Sequence, residues 1–198
     1  MTVESKHPYE PFIPEGADKL IIGTIPPYRF CQEDELFSDD VNFYYGSRDN
    51  YFWEIMSEIT DSTLHFENTE EAIRERKDLL TQLNAGMTDI IESCTHIDGK
   101  SDDASLCNIK TKDIATLLSK YQNITELIYT STSNTIIHFM NNSIKTNHSW
   151  SKENKLDGNI VIDGKKYIVR KLYSPSPKAL WSITKEERIE RYKTVFGL

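Results

Sequence analysis

Residues 19–27 read KLIIGTIPP. A short apolar run ends at Gly23, and three residues later comes the double proline Pro26-Pro27. A continuous apolar run of this length fits a strand buried on both faces, and paired prolines stop it in a stiff loop. Strands of that kind belong to parallel sheets with helices packed on each side. The stretch therefore asks whether strands and helices alternate through the rest of the chain.

They do. Over 49–60, apolar residues fall at 52, 53, 55, 56 and 59, a helical stripe with Asp49 or Asn50 as its N-cap. Residues 69–83 (TEEAIRERKDLLTQL) read as a second helix, with acids in the first turn where the helix dipole favours them. A short strand is expected at 89–91, a helix at 112–121, a buried strand at 124–130 (ITELIYT) and a helix at 132–141. Asp163-Gly164 lies between alternating apolar residues over 159–173, a hairpin signal. Residues 184–196 read as a capped helix ending at Gly197. Residues 1–17, rich in Pro and Glu, read as an extended segment, which leaves 18–198 as one domain. The expectation is an α/β fold with a parallel sheet covered on both faces. Sites in such sheets form at the carboxyl ends of strands, near a switch point of the topology. The loops 24–29, 130–133 and 174–178 leave strands there and should converge.

Bulk properties narrow the classes. The 198 residues suit one self-sufficient core, and 38% hydrophobic with 27% charged residues describes a globular chain. With 23 basic and 31 acidic residues the net charge is −8, which weighs against nucleic-acid binding by diffuse attraction. Positive charge nevertheless gathers at Lys165, Lys166, Arg170, Lys171 and Lys178. Cys31, Cys94 and Cys107 are odd in number and form no CxxC, so free thiols in a reducing, cytoplasmic setting are expected. Cys94, His96 and Cys107 lack paired zinc spacing, so no metal is expected. No run approaches the ~20 apolar residues of a membrane span, so no membrane contact is expected. P-loop, dinucleotide-glycine, GxSxG and HExxH patterns are absent.

Two further stretches carry chemistry. Residues 43–53 read FYYGSRDNYFW, with six aromatics around Gly46, Arg48, Asp49 and Asn50. Residues 174–177 read SPSP and precede Lys178. Taken singly, these are an N-cap with core aromatics and a rigid linker, just as the first loop is a rigid turn. Taken together they suit a flat heterocycle. Rings stack on its faces, stiffened loops hold backbone amides at its edge, and serines with Lys178 contact phosphates. A base extruded from DNA is one such ligand.

With these motifs in order, the chain resembles the uracil-DNA glycosylase superfamily, and is most similar to its hypoxanthine (deoxyinosine) DNA glycosylase branch. LIIGTIPP matches the branch's strand and glycine–proline loop. FYYGSRDNYFW matches its tyrosine–glycine segment, asparagine and Phe-Trp helix. GMTDIIESCTHIDGKSDDA matches its middle block, and LYSPSPKA its late serine–proline motif. The likeness runs from about residue 18 to 196. It implies a three-layer α/β/α sandwich around a central four-stranded, mainly parallel sheet. It also implies hydrolysis of the N-glycosidic bond of a deaminated base in DNA, by a monomer without metal or organic cofactor.

By that resemblance Asn50 is the catalytic position, and Gly23, Thr24, Ile25, Pro26, Phe43, Tyr45, Gly46 and Ser174 line the base site. Arg48, Ser176, Pro177 and Lys178 contact the DNA strand. Ile25 stands where many superfamily members carry Asp or Asn, and Ser174 where many carry histidine. Those departures fit the deoxyinosine branch. They equally fit a glycosylase-like module that binds a base without hydrolysing it. A plain interaction protein, with the aromatics as core, is the third reading.

Overall fold

The computed structural model describes residues 2–32, 36–97, 106–177 and 183–198. The chain opens with β1 (Thr2–Lys6), β2 (Lys19–Gly23) and the short α1 (Tyr28–Cys31). Helices α2 (Phe52–Thr60) and α3 (Glu70–Gln82) follow, then β3 (Ala85–Asp89), β4 (Ile91–Ile97) and β5 (Leu106–Thr111). Next come α4 (Ile114–Lys120), β6 (Glu126–Tyr129) and α5 (Asn134–Ser143). The chain finishes with β7 (His148–Lys152), β8 (Asp157–Ile162), β9 (Lys165–Lys171) and α6 (Lys185–Phe196).

The main sheet has the order β3-β2-β6-β9-β8-β7. Its first four strands are parallel, as expected, but β8 and β7 extend it antiparallel to six. Asp163 and Gly164, both at positive φ, turn β8 into β9, so the hairpin read from the sequence is present. The partner strand β7 was not expected: HSWSK has no apolar alternation, and it pairs only because β8 offers a free edge.

Alternation along the parallel strands sorts side chains into two cores. Leu20, Ile22, Leu127 and Tyr129 face α4 and α5, whereas Ile21 and Ile128 face α2, α3 and α6. That is the three-layer α/β/α sandwich. Helix starts are set locally. Thr69, Asp113, Ser133 and Thr184 each accept a first-turn amide, and Thr184 with Glu187 closes a capping box. Each such cap stabilises its helix by about 1 kcal/mol.

The middle of the chain differs most from expectation. The strand foreseen at 89–91 is instead β3, ending at Asp89, with β4 starting at Ile91. β1, β4 and β5 build a second, three-stranded antiparallel sheet that periodicity did not disclose. Strands such as TVESK and LCNIKT are short and largely polar, so their pairing depends on non-local partners. Beyond β1 the N-terminal segment follows the edge of β3, where Phe12 and Met87 exchange backbone hydrogen bonds at 3.0 and 2.7 Å. Tyr9 Oη donates to Asn42, and Tyr44 Oη donates to the Glu10 carbonyl. The segment thus covers an edge that would otherwise be open.

Candidate active site

From β2 the chain moves to β3 on one side and later to β6 on the other, so the switch point of the topology lies between β2 and β6. Gly23 and Asp89 are register partners at the carboxyl ends of β2 and β3, and Thr130 follows β6. Tyr45 reaches this point from the aromatic loop. Its φ is +55°, a left-handed conformation that costs a non-glycine residue roughly 1–2 kcal/mol. Its ring stacks on Phe52 with centroids 4.6 Å apart, and its hydroxyl shares a 2.7 Å hydrogen bond with Thr130 Oγ1. A Cβ on Gly23 would run into both Tyr45 Oη and Asp89 Oδ1. Gly23 is therefore glycine because a phenol and a carboxylate pass directly over its backbone.

Asp89 is 5% exposed. Its Oδ2 lies 2.9 Å from His7 Nε2, and its Oδ1 lies over Gly23 together with the Tyr45 hydroxyl. His7 is itself fixed, since the Tyr9 amide donates to its Nδ1 at 3.1 Å. Other groups face the same carboxylate. Burial lowers the Lys112 ammonium from its ordinary value, with the nearby Asp89 charge opposing the shift. Burial pushes the Cys31 thiol up to about 12, with Cys94 and Asp89 adding to the effect. Cys31 is thus a thiol, not a nucleophilic thiolate, at neutral pH. Among the described residues no group of three or more His, Cys, Asp or Glu side chains could hold a metal ion.

The rim is formed by the other two expected stretches, which meet. The Tyr51 amide donates to the Pro175 carbonyl at 3.1 Å, so the aromatic loop and the Ser-Pro loop touch. The N-cap of α2 is Tyr51 rather than the expected Asp49 or Asn50; Asn50, one residue earlier, accepts the Phe52 amide on its Oδ1 at 2.9 Å. That bond orients the carboxamide: the oxygen is occupied, and the amide N–H groups have no partner among the described residues. Ser174 Oγ accepts the Ser176 amide at 3.2 Å, a local turn that stiffens the loop. Pro177 is exposed and Ser176 half-buried, while Lys178 lies outside the described residues.

Below the rim, Asp40 holds the aromatic loop in shape. It is fully buried and receives Arg29 Nε at 2.8 Å, Arg29 Nη2 at 2.7 Å, and the amides of Arg48 and Phe37 at 2.9 and 3.0 Å. Burial opposes ionisation of Asp40, but the Arg29 and amide hydrogen bonds outweigh it and hold the carboxyl below its ordinary value. Arg29 also donates to Ser47 Oγ at 2.8 Å. Gly46 follows because a side chain there would strike the Val41 and Phe43 carbonyls.

The expected site residues thus separate into groups. Gly23, Thr24 and Tyr45 gather at the switch point, and Asn50, Ser174 and Ser176 sit on adjoining loops. Ile25 packs half-buried against the α4–α5 core, and Pro26 is buried. Phe43 is 5% exposed and packs with Phe12, Tyr44 and Trp53 beneath the loop, away from solvent. Arg48 is exposed, its guanidinium 3.7 Å from the ring centroid of Phe37. Sequence reasoning missed His7 and Asp89 as site members, whereas Thr130 opens the 130–133 loop expected to converge there. An acid closing a strand beside a glycine that closes another was the available signal, but register is needed to use it. A groove of about 750 Å3 lies beside this region, between β5 and α5, with Lys110, Lys112, His138 and Lys145 among its lining.

No family model matches the chain, and no curated protein does. Solved structures do. One is the solution NMR structure of a "putative uracil DNA glycosylase" from Methanosarcina acetivorans. It superposes with a TM-score of 0.63 over 99% of this chain and 97% of that one, at 14% identity. At that identity the likeness establishes a shared fold, the class of α/β/α sandwich described above.

Proposed function

We propose that the protein is a monofunctional DNA glycosylase. It hydrolyses the N-glycosidic bond of a deaminated base, hypoxanthine or uracil, flipped out of DNA. The observation that carries this reading is the convergence at the β2–β6 switch point. A strained tyrosine, a glycine-closed strand and a buried carboxylate meet there, with the Asn50 and Ser174 loops touching alongside. A fold shared with a protein described as a uracil DNA glycosylase supports it.

In this mechanism the extruded base enters at the carboxyl edge of the sheet, at an unstacking cost of a few kcal/mol. Tyr45 covers one face. As the glycosidic bond lengthens, negative charge grows on the base and positive charge on the sugar. The amide N–H groups of Asn50, without a partner among the described residues, and the backbone amides after Gly23 are donors for the departing base, and water attacks the sugar carbon. With its oxygen tied to the Phe52 amide, Asn50 acts through its nitrogen, as an electrostatic donor rather than a base. Arg48 and Ser176 meet phosphates. The net charge of −8 makes DNA binding weak and salt-sensitive.

The test is an excision panel: oligonucleotides carrying uracil, hypoxanthine or xanthine, single-stranded and duplex, with abasic sites cleaved by alkali. Cutting of at least one deaminated base, lost in a folded Asn50→Ala variant, is the expected result. Absence of cutting by the wild type would overturn it. Ile25 and Ser174 favour a second reading, a module that binds the base and leaves it attached. Gel retardation of lesion DNA without cleavage would select that reading.

A further inference from the structure

We infer that Lys171 and Lys152 form a seat for one phosphate group of the DNA strand, at the carboxyl edge of the main sheet on its α4–α5 face. The inference rests on the DNA-binding reading above and deepens it, from a pocket for one base to a path for the strand beside it.

Strand register places the pair. Lys171 ends β9 opposite Tyr129, and Thr130, next in the chain after Tyr129, holds the Tyr45 hydroxyl. The Leu172 amide donates to the Tyr129 carbonyl at 2.7 Å, and Ser174 follows two residues later. Lys171 shares its face with Tyr167 and Val169, both packed in the α4–α5 core. Two strands away, β7 brings Lys152 to the same face. Its partner on the intervening β8 is Gly158, so that strand has no side chain at the level of Lys152. Trp150 fixes β7: its Nε1–H donates to Asn141 at 2.6 Å, and its ring meets that of Tyr129 with centroids 6.2 Å apart.

The charges there do not balance. Lys171 is 9% exposed. Among the described residues its ammonium has no carboxylate or hydrogen-bond partner, and the charge that bears on it is a second cation, Lys152. Burial lowers the Lys171 ammonium from its ordinary value, and Lys152 lowers it further. Neighbouring cations are matched. Arg170, on the opposite face, meets Glu126 at 2.8 Å and Asp157 at 3.5 Å, and Arg191 meets Asp157 at 2.6 Å. Lys112, also lowered by burial, donates to the Tyr9 carbonyl and has the Asp89, Glu10 and Glu92 charges about it. A desolvated cation beside another cation is costly unless an anion completes the site. The Lys171 stem is buried while its ammonium keeps a path to water, so an anion can reach it. Phosphate suits two point charges arriving from separate strands, because its oxygens accept from several directions. A DNA strand that delivers its base between β2 and β6 passes the end of β9, the next strand in the sheet.

The decisive variant is Lys171→Met, which keeps an apolar stem and removes the charge. Free of ligand it should melt about 2–4 °C above wild type, because the repulsion from Lys152 is gone. Its affinity for single-stranded oligonucleotides should fall about tenfold, with or without a deaminated base, and its log–log salt slope should drop by about 0.7, the contribution of one phosphate. Lys166→Met removes the same charge from an exposed position near the other end of β9 and should leave the slope unchanged. Inorganic phosphate, compared with chloride at equal ionic strength, separates a free anion from the DNA backbone. If phosphate raises the melting temperature of wild type alone while both proteins bind DNA equally, the seat serves a free phosphate compound and the DNA contact is overturned. Equal slopes for wild type and Lys171→Met, an equal loss in Lys166→Met, or no DNA binding at all also overturn it. So does a Lys171→Met protein that melts below wild type, since that marks a structural lysine. A wild type that binds DNA through this seat but cuts nothing sinks the glycosylase reading and leaves the seat standing. Excision by a wild type whose slope Lys171→Met does not change does the reverse.

Discussion

Two buried carboxylates in this protein are placed alike and used differently. Asp40 is fully buried and receives four hydrogen bonds from Arg29, Phe37 and Arg48, so both oxygens are occupied. Asp89 is 5% exposed and is held on one oxygen by His7. A charge taken out of water is tolerated when its lone pairs are filled. The first site fills them from the protein and shapes a loop. The second is held by His7 at the point where three strands end. Complete satisfaction marks the carboxylate that shapes a loop, whereas the other closes a strand beside Gly23.

That contrast is breakable in several ways. Removing Asp40 should have the largest effect. Asp40→Ala removes the acceptor of two Arg29 bonds and two backbone amides and should destabilise the fold by about 3–5 kcal/mol in denaturant titrations. Asp89→Asn, by contrast, should stay within about 1 kcal/mol of wild type. If the two variants cost the same stability, the distinction collapses.

Next comes Gly23→Ala. The added methyl strikes the Tyr45 hydroxyl and the Asp89 carboxylate together, so a loss of about 1–3 kcal/mol is expected, along with any base binding. A variant that binds bases as wild type does would show that those two groups are not held over Gly23.

Acid sharpens the comparison further. The folded Asp40 carboxyl is held below its ordinary value of 3.8, so its contribution is full above that value and is lost as pH falls through the folded one. Glu75, Asp113 and Asp157 are lowered too, so wild-type acid unfolding is shared among them. Asp40→Asn should therefore flatten, without abolishing, the fall of stability below about pH 4. An unchanged slope would remove Asp40 from the account. The smallest effect belongs to Tyr45→Phe, which loses one hydrogen bond to Thr130 and should cost about 1 kcal/mol in thermal or chemical melts.

Much of the architecture was open to inspection in the residues. KLIIGT, ITELIYT and the Asp163-Gly164 hairpin declared themselves because apolar runs and turn residues act locally. Helices began within a few residues of their caps for the same reason. The second sheet did not, because β1 finds its partner β4 far along the chain and β4 and β5 pair with register shifts that no local pattern announces. The site divides along the same line. Tyr45 and Asn50 stand out in an aromatic stretch. His7 was one scattered histidine among five, and Asp89 one acid among many.

Local chemistry alone settled the layered α/β class, the stiff loops after the strands and the capped helices, since each depends on neighbours within one or two turns. Packing decided the rest. The register that sets Gly23 against Asp89, the 82-residue reach from His7 to that carboxylate, and the contact between Tyr51 and Pro175 arise only when distant segments share a core. A side chain's partners across the sheet follow from how the strands align, and nothing in a linear string of residues states that alignment.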